Sequence, residues 1–118
     1  MISSILFILV NIILKIMKKV LVIGVGFLGN YVVKQLEANN FVALGTKISK
    51  TSKTLSLDIT QKQELEKIIL EFNPDCIINC AASVDVDFLE NSPETAYSIN
   101  SDGVKNLAEL CNKYNKRI

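Results

Sequence analysis

The sequence predicts an α/β fold with a parallel sheet, and two observations lead to that prediction. The first is a continuous apolar run at residues 20–23, bounded by lysines and a glycine, which is typical of a strand buried on both faces. The second is the order of the segments that follow: helix, strand, strand, helix, strand and helix. With right-handed crossovers these segments form a partial doubly wound sheet in the spatial order 3-2-1-4.

The composition is that of a single globular domain. The chain has 118 residues, of which 49% are hydrophobic and 21% are charged, so it is neither disordered nor large enough for two domains. The net charge of +1 gives no reason to expect a nucleic-acid partner, and none is predicted. The sequence contains no histidine, which excludes histidine-based catalytic triads and histidine metal ligands.

The three cysteines indicate free thiols. Cys76, Cys80 and Cys111 form no C-x-x-C pair, so a zinc ribbon is not expected and no metal site is predicted. Cys76 and Cys80 share one face of a predicted strand, but the usual rise per residue places them roughly 13 Å apart. That distance is too long for a disulfide. Free thiols fit the reducing cytoplasm, where we expect the protein.

Residues 1–16 form an apolar extension, for which three interpretations compete. A membrane anchor is one, although the segment is shorter than the ~20 residues that span a bilayer. A signal peptide is another, but no positive region precedes the apolar run and no small-residue cleavage site follows it. We favour the third, in which translation starts at Met17 and residues 17–118 are the N-terminal part of a dinucleotide-binding domain. With an anchor the protein would be attached to a membrane instead.

The glycines after the first strand carry the main functional signal. Gly24, Gly26 and Gly29 have the spacing G-x-G-x-x-G, and a helical pattern follows from residue 30. In such a loop the first glycine permits a tight turn, the second lets a pyrophosphate approach the backbone, and the third lets the helix pack on its strand. The N-terminal amides of that helix favour an anion, and Phe27 and Leu28, which lie between the second and third glycines, are also candidate cofactor-binding residues. The alternative is a glycine-rich turn without a ligand.

The second strand, predicted at residues 41–45, is followed by a loop that bears on cofactor choice. An NAD-binding fold usually places an acidic residue there to bind the ribose 2′-hydroxyl. Residues 45–53 contain hydroxyls and three lysines but no acid, and Thr46 and Lys47 come first. The loop therefore favours NADP(H) over NAD(H), because the 2′-phosphate of NADP(H) would find complementary charge there. The alternative is that these lysines are merely solvated.

The remaining elements follow in order. Residues 55–59 predict a third strand, and Thr60 is the expected N-cap of an amphipathic helix at residues 61–72. Residues 76–82 predict a fourth strand that ends in small residues, which either leave room for a ligand or pack tightly. After a loop at residues 83–93, a last helix is predicted at residues 94–114. A ligand crevice is expected at the carboxyl ends of the first and fourth strands.

Three segments of the sequence together resemble a family: KVLVIGVGFLG, LDIT and NPDCIINCAASVDVDFLENSPETAYSINSDGVKNLAELC. They are similar to the N-terminal half of the extended short-chain dehydrogenases/reductases, and most of all to the dTDP-4-dehydrorhamnose reductases and related sugar-nucleotide enzymes. The resemblance implies an NAD(P)-binding Rossmann fold, truncated before the fifth strand. One departure is the glycine loop, because most members of the family have G-x-x-G-x-x-G.

The resemblance also implies roles for individual residues. The three glycines would hold the pyrophosphate, and Asn100 would support the proton relay of the active site. Asp58 and Ile59 would flank the adenine. The nicotinamide side of the site would be lined by Cys80, Ala81 and Ala82.

The catalytic residues of this family have no counterpart in the sequence. The family uses a Ser or Thr and a Tyr-x-x-x-Lys pair, whereas Tyr114 is followed four residues later by Ile118. The expectation is a cofactor-binding portion, inactive alone, of an NADPH-dependent oxidoreductase of rhamnose biosynthesis that acts on a 4-keto nucleotide sugar. The nucleotide sugar would be a partner only of a full-length parent.

Two alternatives remain. One is a non-catalytic NADP-binding module like the regulatory subunit of methionine adenosyltransferase, and the other is a non-functional truncated product. In every case the fourth strand is expected to be an apolar edge with unpaired backbone groups, which favours edge-to-edge self-association.

Overall fold

A computed structural model describes residues 2–16, 18–48, 54–81, 94 and 101–118. These residues form four helices and four strands within the described ranges. In chain order the elements are α1 (Ile2–Ile16), β1 (Lys19–Ile23), α2 (Phe27–Ala38), β2 (Val42–Lys47), β3 (Leu55–Ser56), α3 (Lys62–Phe72), β4 (Cys76–Asn79) and α4 (Gly103–Tyr114).

The strands form one parallel sheet in the order β3-β2-β1-β4, which confirms the predicted fold class and strand order. β1 is the central strand, and Leu21 lies opposite Leu44 on one side and Ile77 on the other. From Val20 to Ile23 every residue of β1 is buried. The continuous apolar run at residues 20–23 thus corresponds to a strand covered on both faces.

Alternate residues of β1 divide the core into two layers. One layer lies under α3 and α4, and its buried residues are Leu21, Ile23, Leu57, Ile59, Leu65, Ile69, Ile77, Leu107, Leu110 and Cys111. The other lies under α2, and its buried residues are Val20, Val22 and Val25. Helices on both faces of the sheet are what a parallel α/β fold requires.

Two ion pairs join α3 to α4 at the surface. Lys62 pairs with Glu109, and the Nζ of Lys113 lies 3.2 Å from a carboxylate oxygen of Glu66. The hydrogen bond from Lys113 lowers the pKa of Glu66, and that from Lys62 lowers the pKa of Glu109. All four groups are partly or fully exposed, so these pairs contribute little to stability compared with the buried layer beneath them.

The turn after β3 differs from the prediction. β3 ends at Ser56 rather than at residue 59, and Asp58 then accepts hydrogen bonds from the backbone N–H of Thr60 at 3.0 Å and from its hydroxyl at 2.7 Å. Thr60 is therefore not the N-cap of α3, and that prediction was wrong. Gln61 occupies the N-cap position without a capping side-chain hydrogen bond. The Asp58 carboxylate offers the backbone a local turn that competes with the strand and with the cap.

The outer edge of β4 is not bare along its whole length. The backbone N–H of Ile77 donates to the carbonyl oxygen of Arg117 at 2.8 Å, and Cys76 and Arg117 form a parallel bridge. The expected edge of unpaired groups therefore has a partner at this position. Self-association through the rest of the edge stays a prediction.

The first helix stands apart from the two core layers. The side chains from Ser3 to Val10 are all exposed, and Phe7 exposes 70% of its surface. None of the helices in the described ranges combines the length and the hydrophobicity needed to span a lipid bilayer. The predicted loop at residues 83–93 and the first half of the predicted last helix, apart from the helical Glu94, lie outside the described residues.

Candidate cofactor-binding site

The glycine loop connects the carboxyl end of β1 to the first turn of α2, and β2 fixes its path. The backbone N–H groups of Gly24 and Val25 both donate to the carbonyl oxygen of Thr46, at 2.9 and 2.8 Å. Gly24 has a φ of +80°, a conformation that favours glycine because side chains rarely tolerate it. The N–H of Gly26 donates to the carbonyl of Gly24 at 2.9 Å, so the bend is closed by its own backbone.

The three glycines have different surroundings. A Cβ on Gly24 would lie 2.5 Å from the Cα of Ala81, and a Cβ on Gly29 would lie 2.5 Å from the carbonyl oxygen of Gly24. A Cβ on Gly26 would meet nothing within 4 Å. Packing within the protein therefore requires glycine at the first and third positions. The middle position is instead open, and a side chain there would occupy space that the protein leaves empty.

The N-terminus of α2 faces this open space with free amides. The first intrahelical bond of α2 runs from the N–H of Asn30 to the carbonyl of Gly26, at 3.0 Å. The preceding amides of Phe27, Leu28 and Gly29 therefore have no partner in the helix, and no side chain caps it in the described part of the chain. Together with the helix dipole, these donors favour a bound anion.

Neither bulky side chain of the loop covers the bend. Phe27 is 100% exposed and Leu28 is 63% exposed. A cavity of about 680 Å³ lies beside them, at the carboxyl ends of β1, β2 and β4. Its position agrees with the crevice expected where the strand order reverses. The cavity is lined by Ile23, Gly24, Val25, Gly26, Phe27, Leu28, Gly29, Lys47, Ile48, Leu57, Ile59, Asn79, Cys80 and Ala81.

The structure brings most of the predicted site residues to this cavity. Those that line it are Gly24, Gly26, Phe27, Leu28, Gly29, Lys47, Ile59, Cys80 and Ala81. Ala82 and Asn100 lie outside the described residues, and their roles stay predictions.

Two predicted site residues do not line the cavity. Thr46 is fully buried within the sheet, and its hydroxyl donates to the carbonyl of Val22 at 3.4 Å. Its carbonyl oxygen holds the glycine loop, as described above. Asp58 directs its carboxylate to Thr60.

Five residues that line the cavity were not predicted from the sequence: Ile23, Val25, Ile48, Leu57 and Asn79. Asn79 could have been found, because it is a polar residue at the end of the apolar strand β4. Leu57 could not, since its position depends on where β3 ends.

Charged side chains are sparse among the described residues around the cavity. Lys47 is the charged residue among the described residues that line it, and it is half-buried at the end of β2. Burial raises the pKa of the Cys80 thiol, which keeps it protonated at neutral pH. Within the described residues the site therefore presents the Lys47 cation, a row of helix amides and a wall that is mostly apolar apart from Asn79. This combination suits a phosphate-bearing ligand with flat apolar rings.

Residues 17–118 match the family described as the RmlD substrate binding domain. The chain belongs to this family. The match includes every residue that lines the cavity.

Individual relatives support the assignment. The chain is 45% identical over 62 residues to a dTDP-4-dehydrorhamnose reductase of Aggregatibacter actinomycetemcomitans, a match that covers 52% of the chain and 21% of that protein. It is 33% identical over 94 residues to methionine adenosyltransferase 2 subunit beta of Bos taurus, covering 78% of the chain and 28% of the relative.

A solved structure agrees with these relatives. The dTDP-4-dehydrorhamnose reductase of Bacillus anthracis in complex with NADP superposes with a TM-score of 0.74 and 26% identity, covering 86% of this chain and 34% of that one. This similarity confirms the Rossmann-type fold. The chain spans about a third or less of the length of the relatives it matches.

Proposed function

We propose that this chain is the NADP(H)-binding portion of a nucleotide-sugar reductase that resembles dTDP-4-dehydrorhamnose reductase. The parent would be an NADPH-dependent oxidoreductase that acts on a 4-keto nucleotide sugar, with the sugar bound by parts of a longer chain. The observation that carries the proposal is the open space at Gly26, beside the free amides of α2 and within a cavity of about 680 Å³.

The residues present fit a dinucleotide. A pyrophosphate would occupy the space in front of Gly26, where a Cβ would meet no protein atom within 4 Å, and would accept hydrogen bonds from the amides of Phe27 and Leu28. Ile59 and Leu57 offer an apolar surface to one ring, and Cys80 and Ala81 offer one to the other. When bound, the cofactor supplies the hydride, and this chain positions it.

Two features support NADP(H) over NAD(H). The first is Lys47, which lines the cavity at the carboxyl end of β2, where an acidic residue would bind a ribose 2′-hydroxyl. The second is the NADP bound to the similar reductase from Bacillus anthracis. The lysines at residues 50 and 53 lie outside the described residues, so Lys47 is the proposed partner of the 2′-phosphate.

The sequence supports cofactor binding without catalysis by this chain alone. It has no Tyr-x-x-x-Lys motif to protonate the alkoxide that forms when a ketone is reduced. We therefore expect the chain to bind NADPH and to show no reductase activity.

Titration with NADPH and NADH tests the proposal, with the nicotinamide fluorescence as the signal. We expect saturable binding of both cofactors, with a lower Kd for NADPH. If neither NADPH nor NADH bound to the chain, the proposed function would be refuted. Tighter binding of NADH would refute the cofactor preference alone.

A second candidate function is a non-catalytic regulatory module that binds NADP. The similarity to methionine adenosyltransferase 2 subunit beta over 78% of the chain favours it. The reading frame of the gene beyond codon 118 distinguishes the candidates. A Tyr-x-x-x-Lys motif in that frame supports the reductase, a frame without the tyrosine supports the module, and an immediate stop supports a truncated product.

A further inference from the structure

Asn79 is the last residue of β4, and its side chain closes a turn at the edge of the cavity. Its Oδ1 accepts the backbone N–H of Ala81 at 3.0 Å. A side-chain oxygen that bonds the backbone two residues later forms an Asx turn, which redirects the chain. Asn79 also lines the cavity and is half-buried.

The turn that this bond closes is one wall of the cavity. Cys80 donates its N–H to the carbonyl of Ile23 at 2.7 Å, so β4 stays paired to β1 until the turn begins. Ala81 then packs against the glycine loop, with its Cα 2.5 Å from the point that a Cβ on Gly24 would occupy. The Cβ of Cys80 similarly lies 3.6 Å from the position of a Cβ on Gly29. The position of the turn therefore determines how closely Cys80 and Ala81 approach the glycine loop.

The sheet order and the proposed 2′-phosphate contact at Lys47 together indicate which half of a dinucleotide this wall would contact. Lys47 and Ile59 lie on the β2 and β3 side of β1, whereas Asn79 and Ala81 lie on the β4 side. A dinucleotide that crosses the glycine loop with its 2′-phosphate at Lys47 would bring its nicotinamide half to the β4 side.

We propose that Asn79 is a positioning residue for the nicotinamide half of the dinucleotide. It acts through Ala81, by holding the exit of β4 against the glycine loop. This inference rests on the proposed function, because it presumes that the cavity binds NADP(H).

Threonine and valine at position 79 provide the sharpest test. The two side chains have nearly the same shape and both suit a strand end, but the hydroxyl of threonine accepts the N–H of residue 81 in an ST turn and valine cannot. Binding is measured for NADPH and for 2′-phosphoadenosine 5′-phosphate, which represents the adenine half. Unfolding in urea shows whether each variant is folded.

We expect Asn79→Val to weaken NADPH binding by roughly three- to tenfold, which is the range for one lost hydrogen bond. Asn79→Thr should recover most of that affinity, and the adenine-half ligand should bind all three proteins within about twofold. A merely structural role would weaken both ligands together.

The outcomes separate this inference from the function on which it rests. Equal affinities of the valine and threonine variants for NADPH would overturn the role of Asn79 and leave the proposed function intact. Parallel loss of both ligands in Asn79→Val would overturn it as well. Failure of the unmodified chain to bind either ligand would overturn the proposed function and this inference with it.

Discussion

Gly45 of β2 and Val25 of the glycine loop are in direct steric contact. A Cβ on Gly45 would lie 2.6 Å from Cγ2 of Val25, and Val25 is buried in the layer beneath α2. Val25 is also held by its backbone bond to Thr46. The loop therefore lies where it does partly because β2 has no side chain at position 45.

Substitution of Gly45 by alanine is expected to destabilise the protein. Val25 is β-branched and fixed at its backbone, so it can yield only by moving the glycine loop. We expect Gly45→Ala to lower the free energy of unfolding by about 1–3 kcal/mol, as overpacked core sites do. Urea unfolding followed by circular dichroism measures the change. An unchanged midpoint would show that the loop relaxes without cost.

Substitution of Gly26 by alanine should instead leave the stability of the protein nearly unchanged and weaken NADPH binding. A methyl group there meets no protein atom within 4 Å, so the free energy of unfolding should change by less than about 1 kcal/mol. The same methyl occupies the space proposed for the pyrophosphate, and NADPH affinity should fall roughly tenfold or more. Gly45→Ala is the matched glycine-to-alanine change, for which a loss of stability is expected. Normal NADPH binding by Gly26→Ala would place the ligand elsewhere.

Lys47 is expected to discriminate between the two cofactors. Because a 2′-phosphate would be its partner, Lys47→Gln should weaken NADPH binding by roughly tenfold and leave NADH binding within about twofold. Lys67→Gln, at an exposed position of α3, is the control. Equal weakening of both cofactors would argue that Lys47 contacts a part that they share.

The ion pair between Glu66 and Lys113 predicts a pH dependence. The hydrogen bond from Lys113 holds the pKa of Glu66 below the usual value of a glutamate, so Glu66 contributes stability above that usual pKa and loses it as the pH falls through its lowered pKa. Glu66→Gln should therefore be slightly less stable than the unmodified protein at neutral pH, with the difference vanishing in acid. Urea midpoints across this range measure it. Glu71→Gln is the control, since Glu71 is exposed on α3 and has no ion pair in the described part of the chain.

Residues 1–16 are proposed to be an extension that the domain does not need. Because the side chains from Ser3 to Val10 are exposed, their removal should change the free energy of unfolding by less than about 0.5 kcal/mol. For comparison, Leu65→Ala in the fully buried layer should cost about 2–5 kcal/mol. Unfolding of the domain upon deletion would refute the proposed boundary. The N-terminus of the native protein, read by mass spectrometry, tests the start at Met17 directly.

The sheet could be predicted because its signal is local and redundant. β1 is apolar on both faces, so the sequence of this segment alone predicts that residues 20–23 are buried. The order of the strands follows from right-handed crossovers and the doubly wound pattern, neither of which needs side-chain detail.

The parts that could not be predicted depend on pairings between distant segments. β2 extends to Lys47 because Thr46 and Lys47 pair with Leu55 and Ser56 of β3. Thr46 also pairs with Ile23 of β1, and its side chain is fully buried. Read locally, Thr46 belongs to a polar loop. The predictions of a strand through residue 59 and of an N-cap at Thr60 were wrong for a different reason. The hydrogen bonds of the Asp58 carboxylate to Thr60 outweighed the strand pattern.

The carbonyl of Thr46 receives two loop amides, and the peptide bond that contains it leads directly to Lys47. In the proposed complex, a phosphate bound at Lys47 and a pyrophosphate bound at the glycine loop would therefore be linked through this one planar peptide unit. The 2′-phosphate and the pyrophosphate of the ligand would then be recognised cooperatively. The energetic effects of substitutions at Lys47 and Gly26 are consequently expected to be coupled in a double-mutant cycle.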